Sequence, residues 1–419
     1  MTMNSNQLVY RGQNCEQNYG KAPVRGVRSV ALAKAATLAF AIFAFASAQQ
    51  AVADPLARAQ AKRMYDRLTG TPPAPDVLTT LETKIGQLGL EGTALFIVDN
   101  TADLRSSNFY SVTLKNFATP WTNRDRTVFA PLNDYTATVI GMVRDDKDFR
   151  GVLSDDILYV GNASPAYSPS NNDHYIALES NNADLRAVLQ EKTQSSLNGL
   201  PADATAGVIT SRAASEAFFI AGTNRAMFRF TLLNHLCRDM EQVHDTSRPP
   251  DRIRQDVTRS PGGDSSVFLN NCIGCHSGMD PMAQAFAYYN YNETTFKLDY
   301  TPGVVQPKYH INSDNFKPGF ITPDNQWENR WRLPGLNKQL GWSASLPGKG
   351  AGAKSLGEEL AHSDAFAECQ VEKVFRTVCF RTPADTTEQG KFETIVTGFK
   401  STGNLKKVFA QTAAVCAGN

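Results

Sequence analysis

The sequence predicts a mainly α-helical chain in two parts: an N-terminal helical domain over residues 54–225 and a C-terminal domain over 226–419 with a long loop-rich insertion. Three observations predict this. Apolar residues recur at spacings of three and four in several separate windows, as on helices that bury one face. A chain of 419 residues is long for one core, which favours two domains. Residues 292–354 are rich in Gly, Pro, Asn and aromatics and show little periodicity, and irregular stretches of that length are usually functional.

In chain order, Arg11, Lys21, Arg25, Arg28 and Lys34 precede an apolar run from Ala35 to Ala48, and Ala51-Val52-Ala53 stands just before Asp54-Pro55. Basic region, short apolar run and Ala-x-Ala site in that order predict a secretory signal peptide over residues 1–53. The run is short for a bilayer span, so membrane association is expected only if the signal stays uncleaved. Cys15 lies before the apolar run, not at the cleavage point, which argues against lipid attachment there. The leader's five basic residues and one acid carry +4, so its removal takes the formal net charge from +1 to −3. No basic stripe is left, and nucleic acid is not an expected partner.

Helical spacing continues over 56–68 and 76–88, separated by the breaker Gly70-Thr71-Pro72-Pro73. Residues 95–142 are richer in aromatic and β-branched types, and 162–182 read as an Asn/Ser/Pro-rich surface loop. A long helix is predicted over 223–243, with Phe230, Leu233, Cys237 and Met240 on its buried face and the domain boundary near Arg225. Pro249-Pro250 breaks the chain, and Pro281 is placed to begin a further helix. Residues 364–381 read as one helix with Ser363 as N-cap and Val371, Val374, Phe375 and Val378 on one face.

The chemistry is concentrated in Cys272-Ile273-Gly274-Cys275-His276. Two cysteines separated by two residues and followed at once by histidine form the attachment site of c-type haem. The thiols, one turn apart, add to the vinyl groups, and the imidazole coordinates iron. A structural zinc would need a second close ligand pair, and neither another Cys-x-x-Cys nor a His-x-x-x-His occurs. A thioredoxin-type pair would follow a buried strand, whereas Ser265 to Asn271 shows no strand alternation. Gly348 to Ser355 misses the phosphate-loop pattern at Ala353, with no strand expected before it. The acid pairs Asp145-Asp146 and Asp155-Asp156 read as solvated surface, and no Gly-x-Ser-x-Gly supports hydrolase chemistry.

On this motif the chain resembles the c-type cytochromes, which implies a cytochrome c-like haem domain over 226–419, one covalent haem c, and attachment outside the cytoplasm. The expected localisation is therefore periplasmic or secreted, and the expected partner is a redox protein. More loosely, the chain resembles the large cytochrome-c-like proteins best known from planctomycetes, in which helical domains of unknown function surround one haem-binding segment. That resemblance rests on Met64 to Gly70, Arg150 to Leu153, Asn234-His235-Leu236-Cys237, Cys272 to Pro281, and Ser363 to Cys369. The prolines usual in that family after the position of Cys237 are missing.

Many small cytochromes c take a methionine well downstream as second axial ligand, but Met279 and Met282 follow His276 too closely to reach the far haem face. His310, inside the aromatic-rich insertion, is the favoured second ligand; His362, Met240, His235, His244 and water are the alternatives. Tyr309, Phe316, Phe320, Trp327, Trp331 and Trp342 either shield the haem or supply the insertion's own small core, and Arg330 and Arg332 either pair with propionates or are solvated. Two protein ligands would make an electron carrier. An open position would favour a haem enzyme, such as a peroxidase, an oxygenase or the electron-accepting domain of a dehydrogenase.

Once Cys15 leaves with the signal and Cys272 and Cys275 hold haem, Cys237, Cys369, Cys379 and Cys416 remain, an even number in an oxidising compartment. Ten helical residues put Cys369 about 15 Å from Cys379, beyond disulfide reach. Each must take Cys237 or Cys416, and the short final segment favours Cys379 with Cys416.

Overall fold

The first helix, Pro55–Thr69, is set by its ends: the Asp54 carboxylate accepts from the Leu56 N–H, and Gly70, at φ 71°, closes it by donating to the Asp66 carbonyl. Ala61, Met64, Tyr65 and Leu68 form its buried stripe. The computed structural model describes residues 54–310 and 319–418. The signal peptide expected over 1–53, with Cys15, and the aromatic Phe316 lie outside them. The second helix runs on from the expected 76–88 to Asp99, past a kink at Gly89 (φ 68°), because Ala94, Ile97 and Val98 carry the buried stripe beyond the glycine.

Among the described residues the chain is mainly helical, and its strands form three two-stranded antiparallel ribbons. No helix of the described residues is long and apolar enough to cross a membrane. The aromatic-rich stretch after the second helix folds into short helical turns around Phe109, Tyr110 and Trp121, then into the helix Asp134–Arg144, capped by Asn133. The loop expected over 162–182 is helical in its second half, Asp173–Ser180: Tyr175 and Leu178 are buried, and the Tyr175 hydroxyl donates to the Tyr159 carbonyl at 2.7 Å.

The long helix expected over 223–243 is shorter. It runs Arg225–Thr231, widens to a π-turn over Leu232–Leu236 and stops at Cys237, which is left-handed at φ 52°. At that stop Cys237 is bonded to Cys369, with Cα atoms 5.2 Å apart. The described residues fall in one compact unit; Arg225, near which the domain boundary is expected, starts a helix, and the main core takes side chains from both sides of it. At that junction His235 is fully buried, its Nε2 2.6 Å from the Tyr135 hydroxyl, its ring stacked between Tyr135 and Phe366. Burial, and secondarily the Lys373 cation, hold its pKa well below the usual 6.5. A base with a depressed folded pKa is protonated first in the unfolded chain. Stability should therefore fall as pH drops below about 6.5, by up to about 1.4 kcal/mol per pH unit from this group. Urea unfolding of the parent and of His235→Gln at pH 7 and 5.5 checks this, the variant losing less on acidification.

The insertion is not structureless. Tyr289–Asn292 pairs with Lys297–Tyr300, and Gln326–Glu328 with Lys349–Ala351. Its tryptophans Trp327 and Trp331 are buried in the main core and Trp342 packs partly against it, while Tyr309 joins a smaller cluster with Ala287 and Tyr288. Arg330 and Arg332 are neither solvated nor free: they pair with Asp251 and Glu359. The near-miss phosphate segment, Gly348 to Ser355, is no loop: Lys349–Ala351 within it is a strand of an antiparallel ribbon that leads directly into the helix Gly352–Ala361. Ser363 caps Asp364–Cys379 as expected, accepting from the Phe366 N–H. Two further helices follow, Thr386–Thr402 and Leu405–Cys416, and the second brings Cys416 to Cys379, Cα to Cα 5.7 Å. The disulfides are those favoured by helix geometry and chain length, and Cys369 and Cys379 are not joined.

Candidate functional site

Cys272 ends a π-turn, Phe268–Cys272, that runs straight into the helix Ile273–Ala283, so all five motif residues share one helical segment. Pro281 continues this helix and does not start a new one. At about 100° per residue, Cys272, Cys275 and His276 fall on one face, and Gly274 and Gly278 fall on the opposite one. The glycine face is packed tight. A Cβ at Gly274 would lie 2.3 Å from Nε2 of His244, and one at Gly278 would lie 1.9 Å from Nε1 of Trp331. His244 and Trp331 thus seat the helix from behind and turn its motif face away from them.

On that face Cys272 and Cys275 are both half-buried and unpaired, unlike the other described cysteines. The Cys275 thiol donates to the Met240 carbonyl at 3.5 Å, and burial, followed by the charges of Glu241 and Asp239, pushes its pKa up. Cys275 is therefore held as the neutral thiol, the form that adds to a vinyl group. Among the described residues no three His, Cys, Asp or Glu side chains are gathered as metal ligands, so no zinc set is assembled around the pair.

His276 is 21 % exposed, and its Nδ1 lies 3.2 Å from Oδ1 of Asp280, one turn on. Asp280 is fully buried, and its ionised carboxylate only accepts, so the contact makes Nδ1 the protonated nitrogen and leaves the Nε2 lone pair free. Burial alone would raise the Asp280 pKa. The positive charges of Arg225 and Arg254 and the Arg225 hydrogen bonds outweigh it, and the carboxyl stays well below its usual range. Arg225 forks onto both oxygens, Nε to Oδ1 at 2.7 Å and Nη2 to Oδ2 at 2.8 Å, and also grips Asp256. Arg254 is buried, donates its backbone N–H to Oδ2 at 3.3 Å, and lies over the Tyr309 ring.

Three of the four residues expected at the site, Cys272, Cys275 and His276, are thus brought together on one helix face. His310 ends the turn Pro307–His310 and is exposed. Its neighbour Tyr309 anchors that turn by donating to the Ala283 carbonyl, at the end of the motif helix, at 3.3 Å. Of the alternatives, His235 lies in the core, His244 behind the motif helix and His362 caps the end of Gly352–Ala361, whereas Met240 adjoins the motif, its carbonyl accepting from the Cys275 thiol. Sequence reasoning missed Asp280, though its i, i+4 spacing from His276 was readable. It also missed Arg225 and Arg254, which no local spacing connects to the motif.

The residues present fit a covalent haem: two free thiols a turn apart, and an imidazole whose second nitrogen is already committed to a carboxylate. A scan against protein-family models finds no match, and searches of curated proteins and of solved structures find none either.

Proposed function

We propose that this chain is an exported mono-haem c-type cytochrome that transfers electrons in the periplasm, in the cytochrome c-like architecture that its motif and its looser planctomycete-type resemblance imply. One observation carries the reading. Where four cysteines are cross-linked, the two of Cys-x-x-Cys-His remain free on one helix face beside a histidine poised with Nε2 unshared. When bound, the haem supplies a one-electron iron couple. The chain's own part is to anchor it through Cys272 and Cys275, ligate it through His276 and exclude water. Protein made with a haem-attachment system should show, after denaturation, an intact mass raised by one haem. A colourless polypeptide of bare mass overturns the reading.

For the far side of the iron His310 remains the proposed ligand, because its turn is fastened to the motif helix through Tyr309. His310→Ala should leave the haem attached, turn a low-spin spectrum high-spin, and let carbon monoxide bind where the parent resists it. A parent that already binds carbon monoxide readily, with no change on substitution, would favour the haem-enzyme reading instead.

A further inference from the structure

We infer that Asp280 is a positioning residue that fixes His276 as an Nδ1–H donor and makes it a stronger electron donor to iron, setting the reduction potential low; this rests on the haem reading. A ligating imidazole whose second nitrogen donates to a carboxylate gains anionic character, whereas a neutral carbonyl in that place gives less. An anionic ligand stabilises ferric over ferrous iron. Here the acceptor is a carboxylate with no solvent exposure, one helical turn from His276, whose ionisation is enforced from the other side by Arg225 and Arg254.

Two effects have to be separated. The group Asp256, Asp280, Arg225 and Arg254 carries two negative and two positive charges, so its net Coulomb effect on an iron nearby is small, and the hydrogen bond to Nδ1 is what remains. Arg225 competes for the same Oδ1 atom, which weakens the donation without abolishing it, since each carboxylate oxygen has two acceptor sites. Neutralising either carboxylate leaves the group one positive charge in excess. Only neutralising Asp280 also removes the partner of His276.

The test is therefore a pair of variants. In haem-loaded protein, Asp280→Asn should shift the ferric/ferrous equilibrium at least tenfold toward ferrous, a rise of about 59 mV for a one-electron couple. Asp256→Asn, which alters the same charge cluster without touching His276, should give a clearly smaller rise. Equal shifts, or none, overturn the inference while leaving the haem reading intact, because attachment is scored separately by intact mass. An absence of attached haem in the parent fails the haem reading itself. Should Asp280→Asn not fold, the unaltered protein decides. In its reduced diamagnetic form, with carbon monoxide added if the iron is five-coordinate, proton NMR should show a slowly exchanging His276 Nδ1–H shifted downfield by a carboxylate acceptor. A rapidly exchanging, unshifted Nδ1–H overturns the proposal.

Discussion

Serine at both Cys272 and Cys275 is expected to abolish covalent haem altogether. On the proposed reading each thiol would supply one thioether, and without them only the His276 imidazole and apolar contact would hold the group, neither of which survives denaturant. Either single replacement should leave one thioether, so haem stays attached at reduced yield. The loss should be specific, since neither thiol takes part in a cross-link: a non-reduced peptide map of the double variant should still show Cys237 with Cys369 and Cys379 with Cys416. Intact mass of the denatured variants is the readout. A double variant that keeps haem through denaturation would remove these residues from the attachment chemistry.

Arg225→Met should cost the fold about 3–5 kcal/mol, a large share of a typical domain's stability. The side chain stands between two carboxylates, and Asp280, with no exposure, would keep only Arg254 at 3.7 Å as a counter-charge. The cost comes from the stranded anion more than from the lost pair, which gives the effect a pH signature. In the parent, the depressed Asp280 pKa stabilises the fold above the unfolded carboxylate range, and this is lost as pH falls through the folded value. In the variant the same group prefers its proton, so the stability gap between variant and parent should narrow as pH falls. Urea midpoints at pH 7 and pH 4.5 measure this. A gap that is small, or independent of pH, would mean that Arg225 acts by packing alone.

What was readable in the sequence was what depended on neighbours along the chain. The Ser363 cap and the stripes of the first and last expected helices follow from side chains within a turn of one another, and they stand where expected. The exclusion of a Cys369–Cys379 bond rests on helical rise alone. The helix over 223–243 stops early at a left-handed Cys237, for which no glycine or proline nearby gives a signal, and the bond that holds that residue reaches 132 positions along the chain. Trp331 was assigned to a loop because its burial depends on Gly278, whose missing side chain makes room for the indole and leaves no apolar signal. At the site the thiols, His276 and in principle Asp280 are local, whereas Arg225 and Arg254 reach the carboxylate only through tertiary packing.

Six described cysteines in two bonded pairs and one free pair put opposite demands on the compartment where the protein matures. On the proposed haem reading, four need an oxidant, while Cys272 and Cys275 must stay reduced until a vinyl group reaches them, although thiols one turn apart close readily on each other. Burial separates the two chemistries only in part: Cys369, Cys379 and Cys416 are shut away, whereas Cys237 is half-buried like the two motif thiols. On that reading biogenesis becomes a race in which the order of oxidation, reduction and haem delivery decides whether a molecule emerges coloured or as a sealed, barren by-product.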